Sequence, residues 1–212
     1  MFSAALFDLD GTLVDNMRFH FAAWRTVAHD HGIALDDARI QSEFAGKKNS
    51  EIIPALLGRL VSADELITIG DRKEALYRSL YAGNVALVPG AKAYLTYLRG
   101  RRIKLALASS APPENRTFVL AALKLEHMFD AIVGGEEVAR GKPAPDIFLR
   151  AAERVSVLPA HCIVFEDAVM GVQGAVAAGA RAIGVTTVEC DEALRAAGAV
   201  VTIPDFLDVP DW

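Results

Sequence analysis

The sequence predicts an α/β protein, a parallel sheet flanked by helices and interrupted near its start by an all-helical insert. Three observations carry this. From about residue 84 onward, short β-rich runs alternate with longer runs of helical period. Residues 15 to 83 break that rhythm and read as helix. The apolar run at the N-terminus leads into the insert rather than into a second strand, so it belongs with the C-terminal part.

The elements follow in order. AALFDLD (4–10) is the first strand. NMRFHFAAWRTVAHDHG (16–32) puts Met17, Phe21, Trp24 and Ala28 on one helical stripe and stops at Gly32. EFAGKKNSE (43–51) reads as a loop between helices. Ser62 and Glu65 have capping-box spacing ahead of LITIGDRKEALYRSLY (66–81). VPG (88–90) marks the return to the sheet, whose later strands are IKLALA (103–108), AIV (131–133), CIVFE (162–166), AIGVTT (182–187) and AVVTI (199–203). Helices are expected in ENRTFVLAALKL (114–125), PDIFLRAAERV (145–155), GVQGAVAAGA (171–180) and DEALRAAG (191–198). The expected organisation is a discontinuous Rossmann-like core, residues 1–14 and 84–212, with a helical domain over 15–83.

Composition narrows the function. The chain has 212 residues, 52% hydrophobic and 23% charged, enough to bury a core without staples. A net charge of −5 with no basic run leaves no electrostatic footprint for nucleic acid or an anionic membrane. No stretch approaches the length of a membrane span, and the N-terminus lacks a basic leader. Cys162 and Cys190 have no metal-ligand spacing and are expected as two buried, reduced thiols. A cytoplasmic monomer is the expectation.

Function is written at the carboxyl ends of the strands, where open parallel sheets bind ligands. The first strand ends in Asp8 and Asp10, the second in Ser109 and Ser110, and the fourth in Glu166 and Asp167; Lys142 follows the third. Carboxylates gathered on one rim repel one another unless a hard cation sits among them. Mg²⁺ takes oxygen ligands and leaves room for phosphate, and Asp8, Glu166 and Asp167 suit it. Ser109 and Lys142 would hold the non-bridging oxygens of a phosphoryl group. Ser110 either joins them or caps the helix beginning near Pro112. Asp8 can serve as nucleophile, while Asp10 passes a proton to the leaving oxygen and later takes one from the acceptor. Side chains at i and i+2 of a strand share a face, so both would address one phosphorus. Gly11 lets the backbone turn tightly beside them.

Four stretches, DLDGTLVD, LASS, GKPAPDIF and FEDAVMGVQGAVAAGA, resemble in order the four motifs of the haloacid dehalogenase-like superfamily. The helical insert resembles the cap of its β-phosphoglucomutase-like phosphatases. The resemblance implies Asp8 as nucleophile, Asp10 as acid and base, and Ser109 and Lys142 as phosphate binders. It also implies Mg²⁺ on Asp8, the Asp10 backbone carbonyl and Asp167, with Glu166 close by. It further implies a cap that closes over the site and chooses a small phosphorylated metabolite. His20 would then face substrate, with Trp24 on the same helical face, and Lys47, Lys48 and Asn49 would read the leaving group. Without it, His20 and Trp24 read as core and the two lysines as solvated.

Within that family Asp10 argues for phosphoryl transfer, because halide leaves without a proton. The mutases resembled carry an arginine where this chain has Asn49, basic residues where it has APPE, and a threonine where it has Asn16. Each departure weakens a clamp for a second phosphate. The reading is therefore a Mg²⁺-dependent phosphatase, with a phosphosugar mutase as the alternative and a non-catalytic phosphate-binding module as a second. A dinucleotide oxidoreductase is disfavoured, since no G-x-G-x-x-G follows the first strand.

Overall fold

A computed structural model describes residues 2–44, 47–207 and 209–210. The chain divides into two compact units, one of residues 1–15 with 86–212 and the other of residues 16–85.

The first unit is built on a six-stranded sheet. Its strands are β1 (Ala4–Phe7), β2 (Lys104–Ser109), β3 (Ala131–Gly134), β4 (Cys162–Glu166), β5 (Arg181–Val185) and β6 (Val201–Ile203). Every pairing is parallel and the order is β3-β2-β1-β4-β5-β6. Ala4 stands beside Lys104 on one side and Cys162 on the other, so β1 is central and all four of its residues are buried. A parallel strand covered on both faces must be apolar throughout, which is why AALF shows no alternation.

Successive side chains divide between two cores. Ala4 and Leu6 join Ala106, Val164, Ile147, Phe148 and Val172 on one face. Phe7 turns to the other, where its ring stacks on Phe165 at 4.8 Å and Phe165 meets Phe206 at 5.4 Å. Helices α5 (Ala91–Gly100), α6 (Pro113–Leu123), α7 (Asp146–Arg154), α8 (Val169–Ala177) and α9 (Asp191–Ala196) complete this unit.

The second unit holds α1 (Met17–Asp30), α2 (Asp37–Phe44), α3 (Asn49–Leu57) and α4 (Ala63–Tyr81). The buried stripe of α1 runs through His20, Ala23, Trp24, Val27 and Ala28; Phe21 packs half-buried against the same core, and Met17 is half-buried at the start of the helix. That spacing is the full i, i+3, i+4 face of a helix packed on several neighbours. The loop expected over 43–51 is shorter than its composition suggests. Glu43 and Phe44 close α2, and Asn49 opens α3; Ala45 and Gly46 lie outside the described residues. Ser62 caps α4 by accepting from the Glu65 N–H at 3.2 Å. Glu65's own carboxylate takes Arg59 instead, so the reciprocal half of the box is not made.

Cys162 is buried, but Cys190 is exposed just ahead of α9, which corrects the expectation of two buried thiols. Among the described residues no helix is long and apolar enough to cross a membrane.

Candidate active site

The first strand is shorter than its sequence suggests: β1 stops at Phe7, leaving Asp8 and Asp10 beyond it. Asp8 continues the ladder by one bond, its N–H donating to the Phe165 carbonyl at 3.1 Å. The chain then folds back, with Gly11 N–H on Val14 O at 2.8 Å and Leu13 N–H on Leu9 O at 2.9 Å. Both acids therefore lie just beyond the strand and just ahead of the turn over residues 11–13, Asp10 bridging to Val14. Gly11 is what the turn requires, at φ +79°, where side chains are strained. A Cβ there would also collide with the Asp167 carboxylate.

Asp8, Glu166 and Asp167 come together with one carboxylate oxygen each, all within 4.8 Å of one another, and all three are buried. Glu166 is the last residue of β4 and Asp167 the next, while Asp8 follows the neighbouring strand β1; parallel register brings them level. Lys142, from the loop between β3 and α7, donates to Asp8 Oδ1 at 2.6 Å and also to Glu166 Oε1. Asp10 lies outside this trio, half-buried, yet near enough for its charge to act on Asp8.

Three buried carboxylates face one ammonium. Burial, with the charges of Glu166 and Asp10, pushes the Asp8 carboxyl up from 3.8 to about 7 against the pull of Lys142. Burial and the neighbouring acids likewise hold Asp167 well above the ordinary carboxylate range. Burial works against the Lys142 ammonium too, but Asp8 and Glu166 outweigh it and keep its pKa above that of a free lysine. Excess negative charge of this kind is relieved by a divalent cation. The donors are hard carboxylate oxygens with no sulfur or imidazole in the trio, so the residues fit such an ion.

Residues that sequence reasoning passed over hold the trio in place. Thr12, wholly buried, donates to Asp167 Oδ1 at 2.8 Å. Thr187 lies in a turn beyond β5 rather than within the strand, and its hydroxyl donates to the Gly11 carbonyl. Gly171 makes room for Glu166, since a Cβ there would fall on the carboxylate. The hydroxyl of Thr12, directly after the acids and Gly11, was the readable signal; the other two act from distant turns.

Ser109 is buried at the end of β2, and its Oγ accepts from the Ala111 N–H at 3.1 Å. Ser110 is half-buried in the following turn and does not cap α6, whose N-cap position is Pro112.

The remaining candidates belong to the helical unit. Trp24 lies in its apolar core, with its ring edge-on to Phe44 at 5.5 Å. His20 stacks on Tyr77 with ring centroids 3.8 Å apart, and its Nδ1 accepts from Lys73 at 2.8 Å. Lys73 also pairs with Glu74 at 3.0 Å, and Asn49 donates its amide to Glu74 Oε1 at 2.8 Å. Lys47 is exposed and Lys48 half-buried.

The family model of haloacid dehalogenase-like hydrolases matches residues 2–179. The chain is 35% identical over 202 residues to a phosphorylated carbohydrates phosphatase of Thermotoga maritima, covering 94% of this chain and 93% of that one. It is 33% identical over 190 residues to β-phosphoglucomutase of Bacillus subtilis, covering 86% and 82%. Among solved structures, a β-phosphoglucomutase from Clostridium difficile superposes with a TM-score of 0.89 at 28% identity, over 99% of this chain and 94% of that one. The chain thus belongs to the haloacid dehalogenase-like hydrolases, in their β-phosphoglucomutase-like phosphatase subfamily.

Proposed function

We propose that this phosphoric monoester hydrolase cleaves a small phosphate ester, a sugar phosphate or similar metabolite, in the presence of Mg²⁺ and through a phospho-aspartate on Asp8. The observation that carries the reading is the placement of Asp8 beside both the Lys142 ammonium and the Glu166–Asp167 pair. A carboxylate there has positive charge beside it to receive a phosphoryl group. The phosphatase and mutase relatives support the sugar-phosphate class.

In this mechanism an Asp8 oxygen attacks phosphorus as the ester P–O bond breaks, and the Asp10 carboxyl gives its proton to the departing alkoxide. Water then attacks the phosphoryl group on Asp8 and loses its proton to the Asp10 carboxylate, and inorganic phosphate departs. Ser109 and Lys142 hold the non-bridging oxygens throughout, with Ser110 beside them. Asp8, Glu166 and Asp167, with the Asp10 backbone carbonyl, would hold the cation, Thr12 orienting Asp167. When bound, Mg²⁺ supplies positive charge that keeps Asp8 ionised and offsets the charge on the phosphoryl oxygens. The candidate leaving-group readers are His20, Lys47, Lys48 and Asn49, with Trp24 one turn on from His20 in α1.

Phosphosugar isomerisation is a second reading, favoured by the β-phosphoglucomutase relatives. Against it, Lys73, a buried cation of the helical unit, is already paired with Glu74. Phosphate release from a panel of phosphorylated metabolites, with Mg²⁺ and with EDTA, tests both. Metal-dependent release from one or a few esters is expected. Conversion of β-glucose 1-phosphate to glucose 6-phosphate with little free phosphate would establish the mutase instead.

A further inference from the structure

Arg116 lies in the first turn of α6 and is 7% exposed, an unusual place for a guanidinium. Its Nη1 donates to the Ala111 backbone carbonyl and, at 3.0 Å, to Glu136 Oε2, while Nη2 takes Glu136 Oε1. The fork is thus bidentate on one carboxylate and also tied to a loop peptide. The ion pair rests on Gly134, where a Cβ would clash with both Arg116 and Glu136. Gly134 is the register partner of Ser109 across β2 and β3. The guanidinium is therefore anchored at the strand end adjoining Ser109.

Ala111 is gripped on both sides. Its carbonyl accepts from Arg116, and its N–H donates to Ser109 Oγ at 3.1 Å. A serine hydroxyl has one proton and two lone pairs. With one lone pair taken by a fixed N–H, the oxygen is located and its proton is free to be aimed at an acceptor. The carboxylate partner is half-exposed, and an ion pair of that kind adds little stability, so stability alone does not explain a buried cation here.

We propose that Arg116 is a positioning residue for phosphoryl transfer, clamping Ala111 so that the Ser109 hydroxyl is held ready for a phosphoryl oxygen. This rests on the reading of Ser109 as a phosphate-binding group. Arg116 itself need not touch substrate. It acts through one backbone residue on one hydroxyl, so its effect must vanish when that hydroxyl is absent.

The test is a double-mutant cycle on the Mg²⁺-loaded protein, with p-nitrophenyl phosphate as substrate and inorganic phosphate binding followed by calorimetry. Ser109→Ala is expected to lower kcat by about 10²-fold. Arg116→Met is expected to lower it about ten-fold, consistent with a misplaced donor. The double variant should be no slower than Ser109→Ala alone, and should bind phosphate no more weakly. Glu136→Gln, which keeps one oxygen to accept from the guanidinium, should show a smaller loss with the same dependence on Ser109. It serves if Arg116→Met does not fold. Independent, multiplying losses would overturn the role of Arg116 while leaving Ser109 in the phosphate site. A Ser109→Ala variant as fast as the native protein would overturn the phosphate-site reading, and the proposal with it.

Discussion

Lys142 Nζ stands 2.6 Å from Asp8 Oδ1, although 134 positions separate the two residues in the chain. Both are buried, and the same ammonium also reaches Glu166. Lys142 thus does two things: it offsets part of a crowded negative charge, and it marks the spot where an incoming phosphoryl oxygen would meet positive charge.

Removing that ammonium leaves the buried acids with no cationic partner at the trio. Lys142→Met should lower stability by about 3–5 kcal/mol in EDTA, measured by urea unfolding. Saturating Mg²⁺ should restore part of the loss but little of the turnover. An unchanged unfolding midpoint in EDTA would mean that the acids are already neutralised by protonation.

Asp8 and Asp10 should separate cleanly by substitution. Asp8→Asn should abolish turnover and the burst of bound phosphate that a phospho-enzyme gives. Asp10→Asn should keep cation and phosphate binding but lose about 10²–10⁴-fold in kcat, the usual worth of a positioned acid. An active Asp8→Asn protein would sink the covalent route.

Asp8 also ties metal-free stability to pH. Its carboxyl is lifted by burial from 3.8 to about 7, so between those values the native state holds a proton that the unfolded chain has lost. Stability then falls as pH rises through that window and is greatest below it, for this group. Thermal unfolding in EDTA at pH 5 and pH 7.5 should show the loss. Added Mg²⁺ competes with the proton, so its stabilisation should grow over the same interval, reaching about 2.7 kcal/mol at a hundred times its Kd. A metal effect equal at both pH values would contradict the link.

Gly11→Ala should be far costlier than Gly32→Ala, although both glycines have positive φ. At Gly32 nothing stands within 4 Å of the added carbon, so only backbone strain of about 1 kcal/mol is expected. At Gly11 the same carbon displaces Asp167. Loss of Mg²⁺-dependent stabilisation in Gly11→Ala but not in Gly32→Ala is the expected result, read by thermal unfolding with and without the ion.

In the helical unit, Glu74→Ala takes the paired carboxylate from the buried Lys73 ammonium, leaving it His20 Nδ1, and removes the acceptor of the Asn49 amide. A loss of about 3–5 kcal/mol is expected. Tyr77→Phe removes only the hydroxyl that accepts from Asn16 Nδ2 at 2.6 Å, and should cost about 1 kcal/mol. Equal losses in urea would mean that packing, not charge, dominates there.

The sequence by itself determined the α/β class, the positions of the strands to within a few residues, and which residue types crowd their carboxyl ends. Periodicity and turn chemistry are local properties, so they can be read along the chain. CIVFE matches β4 residue for residue, and Ser109, Glu166 and Asp167 fall at strand ends as the pattern requires. The buried face of α1 widens to take in His20, Ala23 and Val27, and the 43–51 loop shortens, because neighbouring helices, not the local run, decide which face is buried and where a helix opens. Tertiary structure alone decided who touches whom. Parallel register brings Asp8 level with Glu166, and a left-handed glycine lays Thr12 against Asp167, 155 positions away. Arg116, one charged residue in a helical run, gains meaning only where β2 and β3 end side by side. Those pairings depend on the order and register of the assembled sheet and on the shape of its turns, which no local pattern encodes.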